Sequence, residues 1–81
     1  MSEERVREAL RQAGVEDVQG VDRTASLHET GAVDSFAMLQ LLIALEAEFG
    51  IVIDNRDVLP ENLDSIERIA AFVARKQAGP E

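Results

Sequence analysis

The chain has 81 residues, 46% of them hydrophobic, and no cysteine, so it has the size of one small domain near the lower limit for a single core. The missing cysteines exclude disulfides and thiolate metal sites, and we expect no metal. Sixteen acidic residues against eight basic ones give a net charge of −8, which argues against nucleic acid and membrane surfaces as partners. No apolar stretch is long enough to span a bilayer, and we expect a monomeric, cytoplasmic protein.

A first helix is predicted over residues 2–13. Its apolar residues follow the i, i+3, i+4, i+7 spacing of one helix face. This stripe comprises Val6, Ala9, Leu10 and Ala13. Ser2 is the expected cap, and Gly14 suits the left-handed position that often ends a helix.

Residues 15–33 form a long connection, which in a small domain is often functional. Four irregularly spaced aliphatic residues are expected to pin it across the bundle: Val15, Val18, Val21 and Leu27. A short helical turn near residues 17–21 is a further prediction.

The second helix is predicted over residues 35–49, closed by Gly50. On a helical wheel its apolar residues form two stripes. One stripe is the expected core face: Met38, Leu41, Leu42, Leu45 and Phe49. The other lies nearly opposite: Phe36, Leu39, Ile43 and Ala47. So short a chain can hardly surround one helix, so we expect the second stripe to be exposed and to bind partners. The alternative is a central helix that is buried all round.

Two more helices are predicted. A brief third helix over about residues 55–59 is expected to begin after Asp54 and end at Pro60, with Val58 and Leu59 facing inward. The last helix is expected over residues 65–76, capped by Asp64 or Ser65. Its core stripe is predicted to be Ile66, Ile69, Ala70 and Val73, with Phe72 at the edge.

The predicted fold class is therefore all-α. We expect a small four-helix bundle of three main helices and a short third helix, with a long loop between the first two. Residues 1–77 would form the domain and residues 78–81 a flexible C-terminal tail, with fraying expected from Gln77 onward.

Ser35 lies at the start of the second helix, where Asp34 or Ser35 could simply be the helix cap. The same position presents free N–H groups, which suits a phosphodiester on the serine. A hydrolytic site of Ser35 with His28, backed by Asp34 or Glu29, is a weaker alternative. No oxyanion-hole motif or G-x-S-x-G elbow accompanies these residues.

A spaced set of residues identifies a family. The segment Gly31-Ala32-Val33-Asp34-Ser35-Phe36 precedes an apolar helix that ends Leu45-Glu46-Ala47-Glu48-Phe49-Gly50-Ile51. Leu27 upstream and Pro60-Glu61-Asn62-Leu63 with Ser65-Ile66 downstream extend the match. With these features the chain resembles the acyl/peptidyl carrier protein family, and in particular a stand-alone carrier.

The resemblance implies a carrier and not an enzyme. Ser35 would receive 4′-phosphopantetheine from coenzyme A through a phosphopantetheinyl transferase, and Asp34 would help the transferase to engage. An acyl- or aminoacyl-loading ligase and synthase or transferase enzymes would be further partners. They would dock on Phe36, Leu39, Ile43 and Ala47. A cargo held as a thioester could tuck among Met38, Leu41, Leu42, Leu59, Ile66 and Ile69.

The sequence departs from the fatty-acid carriers in one respect. Those carriers place acidic residues two and five positions after the serine, where this chain has Ala37 and Gln40. We therefore expect a carrier of specialised metabolism, of the polyketide or nonribosomal peptide type, or an aminoacyl carrier. A carrier of fatty-acid synthesis and a carrier-like adaptor without a prosthetic group remain alternatives.

Overall fold

The computed structural model describes residues 2–78, with side chains from Glu3 onward. In this part of the chain there are helices and turns but no strand, which confirms the all-α prediction. The four α-helices are α1 (Ser2–Gln12), α2 (Ser35–Phe49), α3 (Pro60–Leu63) and α4 (Ile66–Ala78). Two single 3-10 turns, Val18–Gly20 and Asn55–Asp57, lie in the connections. None of the described helices is long and apolar enough to cross a membrane.

Helix α1 lies against both α2 and α4, so its apolar stripe forms the middle of the core. All four residues of the predicted stripe are buried. Gly14 has a φ of +97°, a left-handed conformation that glycine adopts without steric cost. The N–H of Val15 donates to the carbonyl of Leu10, and that of Gly14 donates to the carbonyl of Arg11. This is the Schellman arrangement, and it confirms the predicted end of the helix. The capping side chain predicted at Ser2 lies outside the described residues.

Helix α2 presents one apolar face to the core and a second to solvent, as predicted. Leu41, Leu45 and Phe49 are buried, together with Ala44. Met38 and Leu42 are half-buried against the same core. The opposite stripe is exposed. The alternative of a helix buried all round is therefore wrong.

The third helix was predicted in the wrong place. The segment Asn55–Asp57 forms only a single 3-10 turn, and α3 begins at Pro60, where the sequence had predicted an end. Proline suits the first position of a helix because its missing N–H would have no partner there and its φ is already helical. Val58 and Leu59 were expected to face inward, but they are 40% and 41% exposed.

Helix α4 begins one residue after its predicted start, Ser65, and ends two residues beyond its predicted end, Lys76. The hydroxyl of Ser65 accepts a hydrogen bond from the N–H of Arg68 at 3.0 Å, which makes Ser65 the cap. Phe72 was expected at the edge of the core stripe but is only 2% exposed, so it belongs to the core. Gln77 was assigned to the fraying tail, yet it lies in α4 and its side-chain amide donates to the carbonyl of Phe49. Residues 79–81 of the predicted tail lie outside the described residues.

The long connection between α1 and α2 is pinned as predicted. Val15, Val18 and Leu27 are buried in the core, and the predicted short turn is the 3-10 turn at Val18–Gly20. Arg7 of α1 adds polar support, because its guanidinium donates to the carbonyls of Val18 and Val21. The connection is therefore fixed at its start by both apolar and polar contacts.

Candidate functional site

Asp34 is the cap of α2, and Ser35 is the first residue of the helix. The carboxylate of Asp34 accepts a hydrogen bond from the N–H of Ala37 at 2.8 Å. Its backbone carbonyl accepts another from the N–H of Met38. The interpretation of Ser35 itself as the cap is therefore wrong, and its side chain is not needed to begin the helix.

The hydroxyl of Ser35 is available for modification. The residue is exposed, and its hydroxyl forms no hydrogen bond with any described residue. The N–H groups of Ser35 and Phe36 are free, as the first N–H groups of a helix are. Free N–H groups and the positive end of the helix dipole favour an anion at this point. The site therefore fits the expected attachment of a phosphodiester to the serine.

The loop that leads into Ser35 is fastened to the junction between α3 and α4 by Asp64. The hydroxyl of Ser26 donates to Asp64 Oδ2 at 2.7 Å, and the N–H of His28 donates to Asp64 Oδ1 at 3.1 Å. The N–H of Leu27 donates to the Asp64 backbone carbonyl at 2.8 Å. Sequence reasoning considered Asp64 only as a helix cap, because its partners lie 36 to 38 positions away and leave no local signal.

The ionisation of Asp64 follows from these contacts. Burial, the largest single effect, raises the pKa of its carboxyl group, whereas hydrogen bonds from Ser26 and from the N–H of His28 lower it. Arg68 and His28 lower it further through their charge. The pKa therefore lies below its ordinary value, and Asp64 holds the loop as a carboxylate.

A groove runs from Ser35 between the loop and the segment that leads into α3. One part, of about 330 Å³, is lined by Ser35, Met38, Leu42 and Val58 among others. The adjoining part, of about 380 Å³, is lined by Met38, Val58, Leu59 and Leu63 among others. The groove floor is thus apolar.

The predicted cargo residues divide into two groups. Met38, Leu42 and Leu59 line the groove. Leu41, Ile66 and Ile69 do not, because each is 0% exposed and lies within the core. Val58 lines both parts of the groove, but sequence reasoning had placed it in the core.

Residues 55–63 form one wall of the groove, and basic residues of α4 bind polar groups of this wall. Lys76 Nζ lies 2.9 Å from Asp57 Oδ2, and Arg75 donates to the side-chain oxygen of Asn62 at 2.8 Å. The hydrogen bond from Lys76 and that from the N–H of Asp54 lower the pKa of Asp57. Residues 57 and 62 of this segment are therefore attached to α4 by polar contacts, and Leu63 adds an apolar contact in the core.

The four residues predicted to dock partners lie together on the solvent face of α2. Phe36, Leu39 and Ile43 are 68%, 61% and 62% exposed, and Ala47 is exposed beyond them. No charged side chain occurs on α2 before Glu46. The helix therefore presents a contiguous apolar surface that begins beside Ser35.

The groups of a hydrolytic site are not assembled. His28 is exposed, and its imidazole forms no hydrogen bond with Ser35 or any other described residue. The carboxylate of Asp34 is engaged by the N–H of Ala37. In the described chain, no cluster of three or more metal-ligating side chains is found either.

Comparison with known proteins agrees with this site. Residues 4–73 match the family model described as the phosphopantetheine attachment site. A D-alanyl carrier protein of Abiotrophia defectiva is 28% identical over 76 residues, which cover 94% of this chain and 96% of that protein. The chain therefore belongs to the phosphopantetheine attachment-site family: it is a carrier protein with a covalently attached 4′-phosphopantetheine group, and it is not an enzyme.

Proposed function

We propose that Ser35 holds the phosphopantetheine arm and that Asp34 is contacted by the transferase that installs it. The observation that carries this proposal is the exposed, unengaged hydroxyl of Ser35 at the first residue of α2. Two other serines with described side chains are engaged, Ser26 with Asp64 and Ser65 with the N–H of Arg68. The arm supplies a terminal thiol on which a cargo is held as a thioester.

Intact-mass analysis tests the attachment. The purified chain is incubated with coenzyme A and a broad-specificity phosphopantetheinyl transferase. We expect one pantetheinyl adduct on the wild type and on Ser26→Ala, and none on Ser35→Ala. Modification of Ser35→Ala, or an unmodified wild type, would contradict the proposal.

Two variants separate the role of Asp34 as the helix cap from its proposed contact with the transferase. Asn is as good a cap as Asp, whereas Ala removes the capping bond. Asp34→Asn therefore keeps the fold but removes the charge offered to the transferase. We expect slower loading of Asp34→Asn with an unchanged free energy of unfolding; loading at the wild-type rate would limit Asp34 to the cap.

The cargo that we favour is an aminoacyl group. The similarity to a D-alanyl carrier protein supports it over nearly the full length of both chains. The uncharged Ala37 and Gln40 favour either this cargo or a carrier of polyketide or nonribosomal peptide metabolism over a fatty-acid carrier. A ligase that activates the cargo and a synthase or transferase that receives it are the partners this function needs.

The choice of cargo is tested on the holo protein. We would supply ATP with either D-alanine and a D-alanine-activating ligase, or a medium-chain fatty acid and an acyl-activating ligase. An aminoacyl adduct that forms faster than the acyl adduct supports the proposal. Faster acylation would favour the fatty-acid or polyketide alternatives.

We place the docking surface on Phe36, Leu39, Ile43 and Ala47. Its exposure and its position beside Ser35 support this assignment, because a partner seated there is within reach of the arm. For the cargo we retain only Met38, Leu42 and Leu59. Core residues such as Leu41 could contact a cargo only if the helices moved apart.

A further inference from the structure

The groove beside Ser35 is almost entirely without positive charge. Its two parts share His28, Met38, Val58 and Asp64 among their lining residues, so they are continuous. No Lys or Arg lines either part. His28 is thus the single lining side chain that can become a cation.

The other ionisable groups around the groove are acidic. Glu29 and Asp34 belong to the loop, and Asp64 lies at the junction of α3 and α4. The lining residues of α2 and of the segment before α3 carry no charge. Behind Asp64, Arg68 of α4 is near enough to lower the pKa of that carboxyl group. A phosphodiester on Ser35 therefore faces carboxylates, with His28 as the compensating group within the groove.

The position of His28 is fixed while its imidazole is free. Its N–H donates to Asp64 Oδ1 at 3.1 Å, and the neighbouring Leu27 is fastened to the Asp64 carbonyl and is 1% exposed. The Asp64 carboxylate is already engaged by Ser26 and by this N–H. The imidazole lines the same part of the groove as Ser35 and forms no hydrogen bond with a described residue. It lies near enough to Asp64 for its charge to lower the pKa of that carboxyl group.

We propose that the protonated imidazole of His28 pairs with the phosphodiester that links the arm to Ser35, and so biases the arm toward the groove. This inference rests on the proposed attachment to Ser35. An exposed pair of this kind contributes little to stability and is screened by salt. Its effect is therefore on the position of the arm rather than on the fold.

The test is phosphorus-31 NMR of the holo protein at low ionic strength, from about pH 5 to 8, where imidazoles titrate. Holo wild type, His28→Gln and Glu29→Gln are first verified by intact mass. We expect the phosphodiester resonance to move with one midpoint in the wild type and in Glu29→Gln, and to stay constant in His28→Gln. The movement should shrink at 1 M salt, because the Debye length is then only about 3 Å.

Two results would overturn the inference in distinguishable ways. If no adduct forms at Ser35, the proposed attachment fails and the pairing fails with it. If the adduct forms but the resonance behaves alike in the wild type and in His28→Gln, the attachment stands and the role of His28 is refuted.

Discussion

Two leucines of α2, two positions apart, should separate partner binding from folding. Leu39 is 61% exposed on the docking surface, whereas Leu41 is 0% exposed in the core. The variant Leu39→Glu introduces a charge on the docking surface without loss of helix propensity, since Glu and Leu are comparable helix formers. Leu41→Ala instead leaves a cavity in the core.

The expected magnitudes follow from the exposed fractions. Full burial of a leucine side chain contributes about 1.5–3 kcal/mol, so the exposed part of Leu39 still offers about 1–2 kcal/mol to a partner. Its loss lowers the efficiency of loading by roughly 5- to 30-fold, and a buried charge adds to this. We expect Leu39→Glu to change the free energy of unfolding by less than about 0.5 kcal/mol. Leu41→Ala should lower it by about 2–5 kcal/mol.

The assay combines urea unfolding with the kcat/KM of loading by the broad-specificity transferase. Ala71→Glu is the matched control, because Ala71 is exposed on α4 and receives the same charge away from the docking surface. We expect this control to load as the wild type does. If Leu39→Glu loads within twofold of Ala71→Glu, the solvent face of α2 is not the surface that the transferase contacts.

Three further predictions concern stability. The pKa of Asp64 is lower in the folded protein than its ordinary value. Its carboxylate therefore contributes its full stabilisation above about pH 4, the ordinary pKa of an unfolded aspartate. This stabilisation is lost as the pH falls through the pKa of Asp64 in the folded protein. Asp64→Asn should therefore lose less stability than the wild type in urea titrations between about pH 5 and 2, and an equal loss would contradict this. Gly50→Ala should lower the free energy of unfolding by about 1 kcal/mol, because the φ of Gly50 is +66°, a conformation that alanine adopts only with strain. An added Cβ would meet no atom within 4 Å, so the loss would come from the backbone conformation and not from a clash. An unchanged urea midpoint would refute this explanation. Asp34→Ala should lower the free energy of unfolding by about 1 kcal/mol, whereas Asp34→Asn should leave it almost unchanged. If urea unfolding shows equal losses for the two variants, the hydrogen bond to the N–H of Ala37 is not the stabilising contact.

The parts of the fold that the sequence predicts are those set by local patterns. The two stripes of α2 follow from spacing alone, because a helix places every third or fourth residue on the same side. Gly14 likewise marks the end of α1 by its own conformational freedom. The resemblance to the carrier family depends on the Asp34-Ser35-Phe36 junction and on its distance from Phe49-Gly50, which are local features too.

The features of the fold and of the site that the sequence does not predict depend on residues far apart in the chain, or on a local signal that has two structural meanings. A proline can end one helix or begin the next, so Pro60 alone did not place α3. The role of Asp64 depends on Ser26 and His28, and the attachment of the turn Asn55–Asp57 depends on Lys76, 19 positions after Asp57. No periodicity within one segment encodes such pairs.

The choice of Asp34 rather than Ser35 as the cap of α2 has a chemical consequence. A serine at the cap position commits its oxygen to the N–H groups of the first turn, as Ser65 does toward Arg68 in α4. Because Asp34 takes that bond at α2, Ser35 moves into the first helical position with its oxygen unengaged and the free N–H groups beside it. The Asp-Ser pair thus divides two tasks: the aspartate caps the helix, and the serine stays exposed, as the proposed attachment requires. The same division explains why Asp34→Asn, which keeps the cap, is the sharper probe of the transferase than Asp34→Ala, which disturbs the position of the serine as well.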